Sequence, residues 1–254
     1  MSLPSDEPLP EAADPTQRDA PEPVSTASPP AAQRPGYRRA LLLAGKIALV
    51  IVALPLILTP IYWVVPPVSA LMLWSGLTFQ GMQRNWVSLD AIAPVAVHSV
   101  IMSEDGRFCE HAGVDWNQLN AVLAKKGGPS RGASTIPMQT VKNLFLWPSR
   151  SYLRKGLEIA LAYYADFIWS KRRMIEIYMN IAQWGPGLFG VEAAAQHYFG
   201  KPAKELNSRQ AALLAAALPN PILRNPAQPS RALQAHARII ERRARQAGSY
   251  VGCL

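Results

Sequence analysis

A mostly α, all-α globular domain behind one N-terminal transmembrane helix is the fold class this sequence predicts, and three observations predict it. Residues 40–65 form one apolar run long enough to cross a bilayer. Beyond Pro66-Pro67, apolar residues recur at helical spacing in segment after segment. The β-branched alternation that marks half-buried strands is nearly absent.

The first 36 residues carry nine prolines, many Ala and Ser, and few large apolar side chains. Such a segment cannot bury enough surface to offset its chain entropy, so 1–36 reads as a disordered, Pro-rich tail. It is acidic, with Asp6, Glu7, Glu11, Asp14, Asp19 and Glu22 against Arg18 and Arg34. With −4 in the tail and +9 overall, the remainder carries +13. A body that basic suits nucleic acid, anionic headgroups or a phosphorylated substrate, and composition does not choose among them.

The apolar run follows Arg34, Arg38 and Arg39 and is uncharged from Ile47 to Val65. Basic residues ahead of it and few just after it predict a cytoplasmic N-terminus, with Tyr62 and Trp63 as an interfacial pair. Pro55 and Pro60 are tolerated in such a helix. Val68-Ser69-Ala70 has the small-residue pattern of a cleavage site, but the long extension ahead of the run favours an uncleaved anchor.

Past the anchor, from residue 70 to 254, the elements follow in order. Pro94 suits a first helical position for a helix ending near Asp105. A short helix follows at 116–126, and then a loop of Gly127, Gly128, Pro129, Ser130 and Gly132. Ser134 is the expected N-cap of a helix reaching Leu146. Leu153, Leu157, Leu161, Tyr164 and Ile168 mark the expected buried face of a long helix over 151–169. Further helices are expected at 171–181, 190–198, 208–218 and 230–246. The last carries Arg231, Arg238, Arg242, Arg243 and Arg245, which in an anchored protein suits anionic lipid better than nucleic acid.

Two cysteines, Cys109 and Cys253, are too far apart in sequence to read as a framework. A bridge is possible in an oxidising compartment, but the sequence weighs against one. Four scattered histidines suggest no zinc site and no other metal site.

Chemistry concentrates in two stretches. Glu104-Asp105-Gly106-Arg107-Phe108-Cys109-Glu110-His111 gathers carboxylates, an aromatic and an imidazole. Glu104 follows apolar Val100, Ile101 and Met102, so partial desolvation would raise its pKa toward that of a proton-transfer group. Phe108 and His111 would supply a wall and a donor. About twenty residues later, Thr135, Gln139 and Lys142 fall at i, i+4 and i+7 on one helical face. Arg154 and Glu158, also i and i+4, are either a surface ion pair or a grip on an anionic group.

These stretches, with Arg154–Glu158, Lys171–Asn180 and Gly190–Phe199, resemble the five ordered motifs of the family 51 peptidoglycan glycosyltransferases. The resemblance covers roughly residues 85–225, with core motifs over 100–200, and Leu144-Phe145-Leu146-Trp147 is similar to the monofunctional biosynthetic transglycosylase type. Pro137-Met138 and Met179 depart from the usual pattern at positions given no chemical role.

The resemblance implies a lysozyme-like glycosyltransferase domain that polymerises lipid II into β-1,4 glycan with loss of undecaprenyl pyrophosphate. It implies Glu104 as catalytic base and Glu158 as a second catalytic carboxylate near the leaving group. Lys142 and Arg154 would bind the pyrophosphate, and Asp105, Phe108, His111, Ser134, Thr135, Gln139 and Asn143 would complete the substrate sites. No cofactor is required, and a divalent cation is compatible. Expected partners are lipid II, the growing glycan strand, membrane lipids and cell-wall synthesis or division proteins, but no nucleic acid. The expected place is the inner membrane, with the domain periplasmic. No Ser-x-x-Lys pair occurs and few residues follow the last motif, so no transpeptidase is expected. A lytic enzyme of the same fold, or an idle scaffold recruiting partners through the tail, are the alternatives.

Overall fold

A computed structural model describes residues 36–124, 134–148 and 151–254. The tail expectation for 1–35, the glycine-rich loop at 127–132 and the end of the helix expected to reach 126 lie outside the described residues. Two compact units divide at residue 44, and the body described below belongs to Gly45–Leu254.

Helix α1 (Gly36–Ile61) is long and apolar enough to cross a membrane, with a mean hydropathy of 2.7 over its best window. It stops short of the expected Val65. Residues 62–65 turn instead, as the residue before Pro66 is disfavoured in helix, and Arg173 draws the carbonyls of Tyr62 and Val65 outward. Pro60 has no N–H for the carbonyl of Leu56 four residues back. The Tyr164 hydroxyl donates to that carbonyl at 2.9 Å, and Trp169 Nε1 donates to Thr59 O at 2.8 Å.

The remaining helices confirm the mostly α expectation. They are α2 (Ala70–Leu77), α3 (Pro94–Glu104), α4 (Trp116–Leu123), α5 (Ile136–Phe145), α6 (Tyr152–Ile168) and α7 (Lys171–Ile181), then α8 (Val191–Phe199), α9 (Ser208–Ala217) and α10 (Arg231–Arg245). α9 and α10 pack on each other and on α3, while α5 sits against both α6 and α7. Apolar side chains from α3, α5, α7, α8 and α9 form one core. Pro137, Met138 and Met179 are buried there, away from solvent.

Three details correct the expectations. Strands β1 (Gln83–Arg84), β2 (Gln183–Gly185) and β3 (Leu188–Phe189) form a small sheet in the order β1-β3-β2. Strands of two or three residues leave no alternation to read. On α6 the buried face is Glu158, Ala162 and Ala165; Leu153 is 72% exposed and the rest of the expected stripe only half-buried. Small residues prevail there because Gly113, at φ +77°, runs so close that a Cβ would meet the Ala162 backbone at 2.8 Å.

The third is Cys109–Cys253, which form a disulfide. α10 packs on α3, and a 3-10 turn at Gly248–Val251 then returns the chain to the loop after α3. The two Cα atoms meet at 5.6 Å, within the reach of a bridge. Separation in sequence said nothing about that return.

Candidate active site

The site is assembled where the end of α3 meets the start of α5. Glu104 is the last residue of α3, and Asp105 leaves the helix at φ −158°. The buried Asp105 carboxylate accepts the Ile136 N–H at 2.9 Å, satisfying a donor that the first turn of α5 leaves open. It also meets His111 Nε2 at 2.9 and 3.0 Å from its two oxygens. Asp105 and His111 thus form a brace that sets α3 against α5.

The cap of α5 is Thr135, where Ser134 was expected. Its hydroxyl accepts from Met138 N–H at 3.3 Å and donates to Gly113 O at 2.6 Å. Thr135 is buried in that role, and Ser134 is left free to accept from Lys155 Nζ at 2.6 Å. Phe108 is fully buried below Lys171, whose Nζ lies 4.9 Å from the ring centre. Phe108 therefore belongs to the core, not to an open wall.

Glu104 faces Gln139 across this junction. Gln139 Nε2 donates to one Glu104 oxygen at 3.1 Å, and Ser103 Oγ donates to the other at 3.2 Å. Burial pushes the Glu104 carboxyl above its ordinary range. Those two hydrogen bonds and the charge of Lys142 pull it back, and Asp105 adds a small upward push. Its partners are neutral donors, so the carboxylate is left available as a proton acceptor.

Beside it lies a cluster of cations. Glu158 is buried on α6 and pairs with Arg154 and with Lys155 Nζ, the latter at 3.0 Å. Arg154 is itself largely buried, so this is no surface pair. Burial lowers the pKa of Lys142, helped by the charge of Arg154. Lys155 is pushed down to about 8 by burial and then by Lys142 and Arg154. Lys142, Arg154 and Lys155 outnumber the carboxylates of Glu158 and Glu104 and leave an unbalanced positive field, suited to an anionic group.

Lys142, Asn143 and Arg154 open into a cavity of about 250 Å³, walled by Leu71, Leu146, Trp147 and Pro148. A larger depression of about 570 Å³, lined by Arg84, Gln196 and His197 among others, has one arginine and none of the residues that couple to Glu104, whereas Lys142 in the smaller cavity does. Size and chemistry disagree here, and the chemistry favours the smaller cavity. Of the sequence candidates, Glu104, Gln139, Lys142, Asn143, Arg154, Glu158 and Ser134 come together, while Asp105, His111, Thr135 and Phe108 brace them from behind.

A model of the family described as Transglycosylase matches residues 74–245. This chain belongs to the transglycosylase family. The match spans both halves of the site, from before α3 to the end of α10. Proteins named biosynthetic peptidoglycan transglycosylase are similar over most of their length. That of Agrobacterium fabrum is 58% identical over 219 residues, covering 84% of this chain and 97% of its own. The Brucella suis protein is 57% identical over 218 residues, covering 84% and 97%. The Rhizobium meliloti protein is 55% identical over 212 residues, covering 82% and 90%.

Two further residues of this transglycosylase reach the site without having been assigned a role from sequence. Lys155 stands three residues from Glu158, and that i, i+3 spacing on a helix is the signal that could have found it. Tyr178, on α7, donates to Gln139 Oε1 at 3.0 Å. No local spacing connects residues 39 apart.

Proposed function

We propose that this transglycosylase polymerises lipid II into β-1,4 glycan strands with release of undecaprenyl pyrophosphate. The observation that carries the reading is the pairing of a desolvated carboxylate, held only by neutral donors, with a net-positive cavity beside it. Glu104 takes the proton of the acceptor GlcNAc 4-hydroxyl as that oxygen bonds to C1 of the donor MurNAc. The bond from C1 to the pyrophosphate oxygen breaks, the electron pair leaves with the pyrophosphate, and attack from the opposite face inverts C1. Lys142, Arg154 and Lys155 hold the leaving group, and Glu158 keeps the latter two in place. Ser134, Gln139 and Asn143 shape the sugar and phosphate sites, with Asp105, His111, Thr135 and Phe108 supporting them.

In this reading the side-chain cations do the work of charge neutralisation, so turnover needs no resident cofactor and persists in a chelator. A lytic enzyme would have no use for three cations beside its carboxylate. The absence of a Ser-x-x-Lys pair supports a protein without transpeptidase activity. Arg34, with Arg38 and Arg39 in the first turn of α1, supports a cytoplasmic N-terminus in the inner membrane, and the disulfide supports a domain on the oxidising, periplasmic side. The partners in this reading are lipid II, the nascent strand and the surrounding lipid.

The test is incubation of the full-length protein with lipid II in detergent, wild type beside Glu104→Gln. Lysozyme-sensitive polymer from wild type alone is the expected result. Polymer from Glu104→Gln at the wild-type rate would remove Glu104 as the base. No polymer from either protein would sink the reading as a polymerase.

A further inference from the structure

Tyr178 plays no part in the mechanism above, yet its buried hydroxyl is one side chain away from the base. The intervening Gln139 amide uses all of its groups. Nε2 donates to Glu104 Oε2 at 3.1 Å and to the Ser134 carbonyl at 3.3 Å, while Oε1 accepts from the Tyr178 hydroxyl at 3.0 Å. This pattern of two acceptors on one side and a donor on the other admits one amide orientation. Turned over, the amide would set its oxygen against a carboxylate and a carbonyl, with nothing to donate to either. Burial, then the charges of Glu104 and Asp105, hold the phenol well above its ordinary pKa, so it stays a donor across the working pH range.

We propose that Tyr178 is a positioning residue for glycosyl transfer, whose hydroxyl locks the Gln139 amide so that a donor always faces the Glu104 carboxylate. The proposal rests on the reading of Glu104 as base. Without the hydroxyl, the amide turns freely. Its oxygen then accepts a hydrogen bond from the O–H of neutral Glu104, which favours the acid form and lets the carboxyl swing out of line. The other groups facing Glu104 are Ser103, Asp105 and Lys142, and loss of the Tyr178 hydroxyl leaves them in place.

The experiment measures kcat, KM and the acid limb of the pH profile on lipid II for wild type, Tyr178→Phe, Gln139→Leu and the double variant, with Glu104→Gln as control. Tyr178→Phe keeps the ring and its packing. Its kcat should fall by roughly ten- to a hundredfold with KM little changed, and its acid limb should move to higher pH. Gln139→Leu, which leaves Tyr178 in place, should move the limb the same way, and the double variant should be no worse than Gln139→Leu alone. A lower kcat in Tyr178→Phe with an unmoved limb overturns the proposal, as does a Tyr178→Phe effect that persists undiminished on top of Gln139→Leu. Should Tyr178→Phe fail to fold, an unmoved limb in Gln139→Leu overturns it equally. Activity in Glu104→Gln would instead bring down the base itself, which separates that failure from failure of the Tyr178 relay.

Discussion

The carboxylate of Asp105 accepts the backbone N–H of Ile136 at 2.9 Å, joining two residues 31 apart in the chain. That bond sets the spacing between Glu104 at the end of α3 and Gln139 one turn into α5. Asp105→Ala should leave a buried N–H unpaired, at a cost of about 1–3 kcal/mol of stability. It should also lower kcat by roughly a hundredfold through misplacement of Glu104. Urea denaturation read beside lipid II kinetics checks both. Loss of stability without loss of kcat would show that the junction does not position the base.

Burial holds the pKa of Glu104 above the ordinary carboxylate value. As the proposed base, Glu104 works only when ionised, so activity should fall on acidification at a pH above that value. The sign for stability is the reverse. A carboxyl whose folded pKa is raised favours the acid form in the fold, so its contribution is present at low pH and lost as pH rises through the folded value. Glu104→Gln should thus be inactive, yet melt at or above the wild-type temperature at neutral pH. A clearly lower melting temperature would contradict this account of Glu104.

Lys155, with its pKa lowered to about 8, should lose its proton in mildly alkaline solution. KM for lipid II should rise above that pH, while Lys155→Arg should keep KM flat to higher pH. In the free protein, the unfolded state holds this proton up to the ordinary lysine value, so the Lys155 contribution to stability should increase as pH rises from about 8 toward it. KM profiles of the two proteins decide the matter.

The disulfide closes a separation of 144 residues. On the chain-entropy account, a loop of that length contributes about 4–5 kcal/mol by restricting the unfolded chain. Cys109→Ser/Cys253→Ser should lose an amount of that order in urea titrations. A much smaller loss would mean that the loop after α3 is held by packing alone.

Most of the helices were legible because their periodicity is local, and Pro94 opens α3 where expected. The gathering of Glu104, Gln139, Lys142 and Arg154 in one place was legible because residue type and order carried it. What was not legible depended on distant return of the chain. Cys253 reaches Cys109 only through the packing of α10, and Tyr178 reaches Gln139 only through α7 lying against α5. Glu158 misled the stripe on α6 for another reason. A charged residue reads as solvent-facing unless its counter-ions are known to be buried with it, and here Arg154 and Lys155 are those counter-ions.

The grip of Tyr164, Trp169 and Arg173 on the carbonyls at Leu56, Thr59, Tyr62 and Val65 bears on more than the end of a helix. A slack linker would let a catalytic head wander over the bilayer. Here hydrogen bonds tie the last turns of α1 to the head. A helix leans more steeply in a thin bilayer than in a thick one, and here the lean would be handed to the active-site cleft as a change of pitch. The thickness of the surrounding lipid then becomes an input to how squarely the cleft meets its substrate.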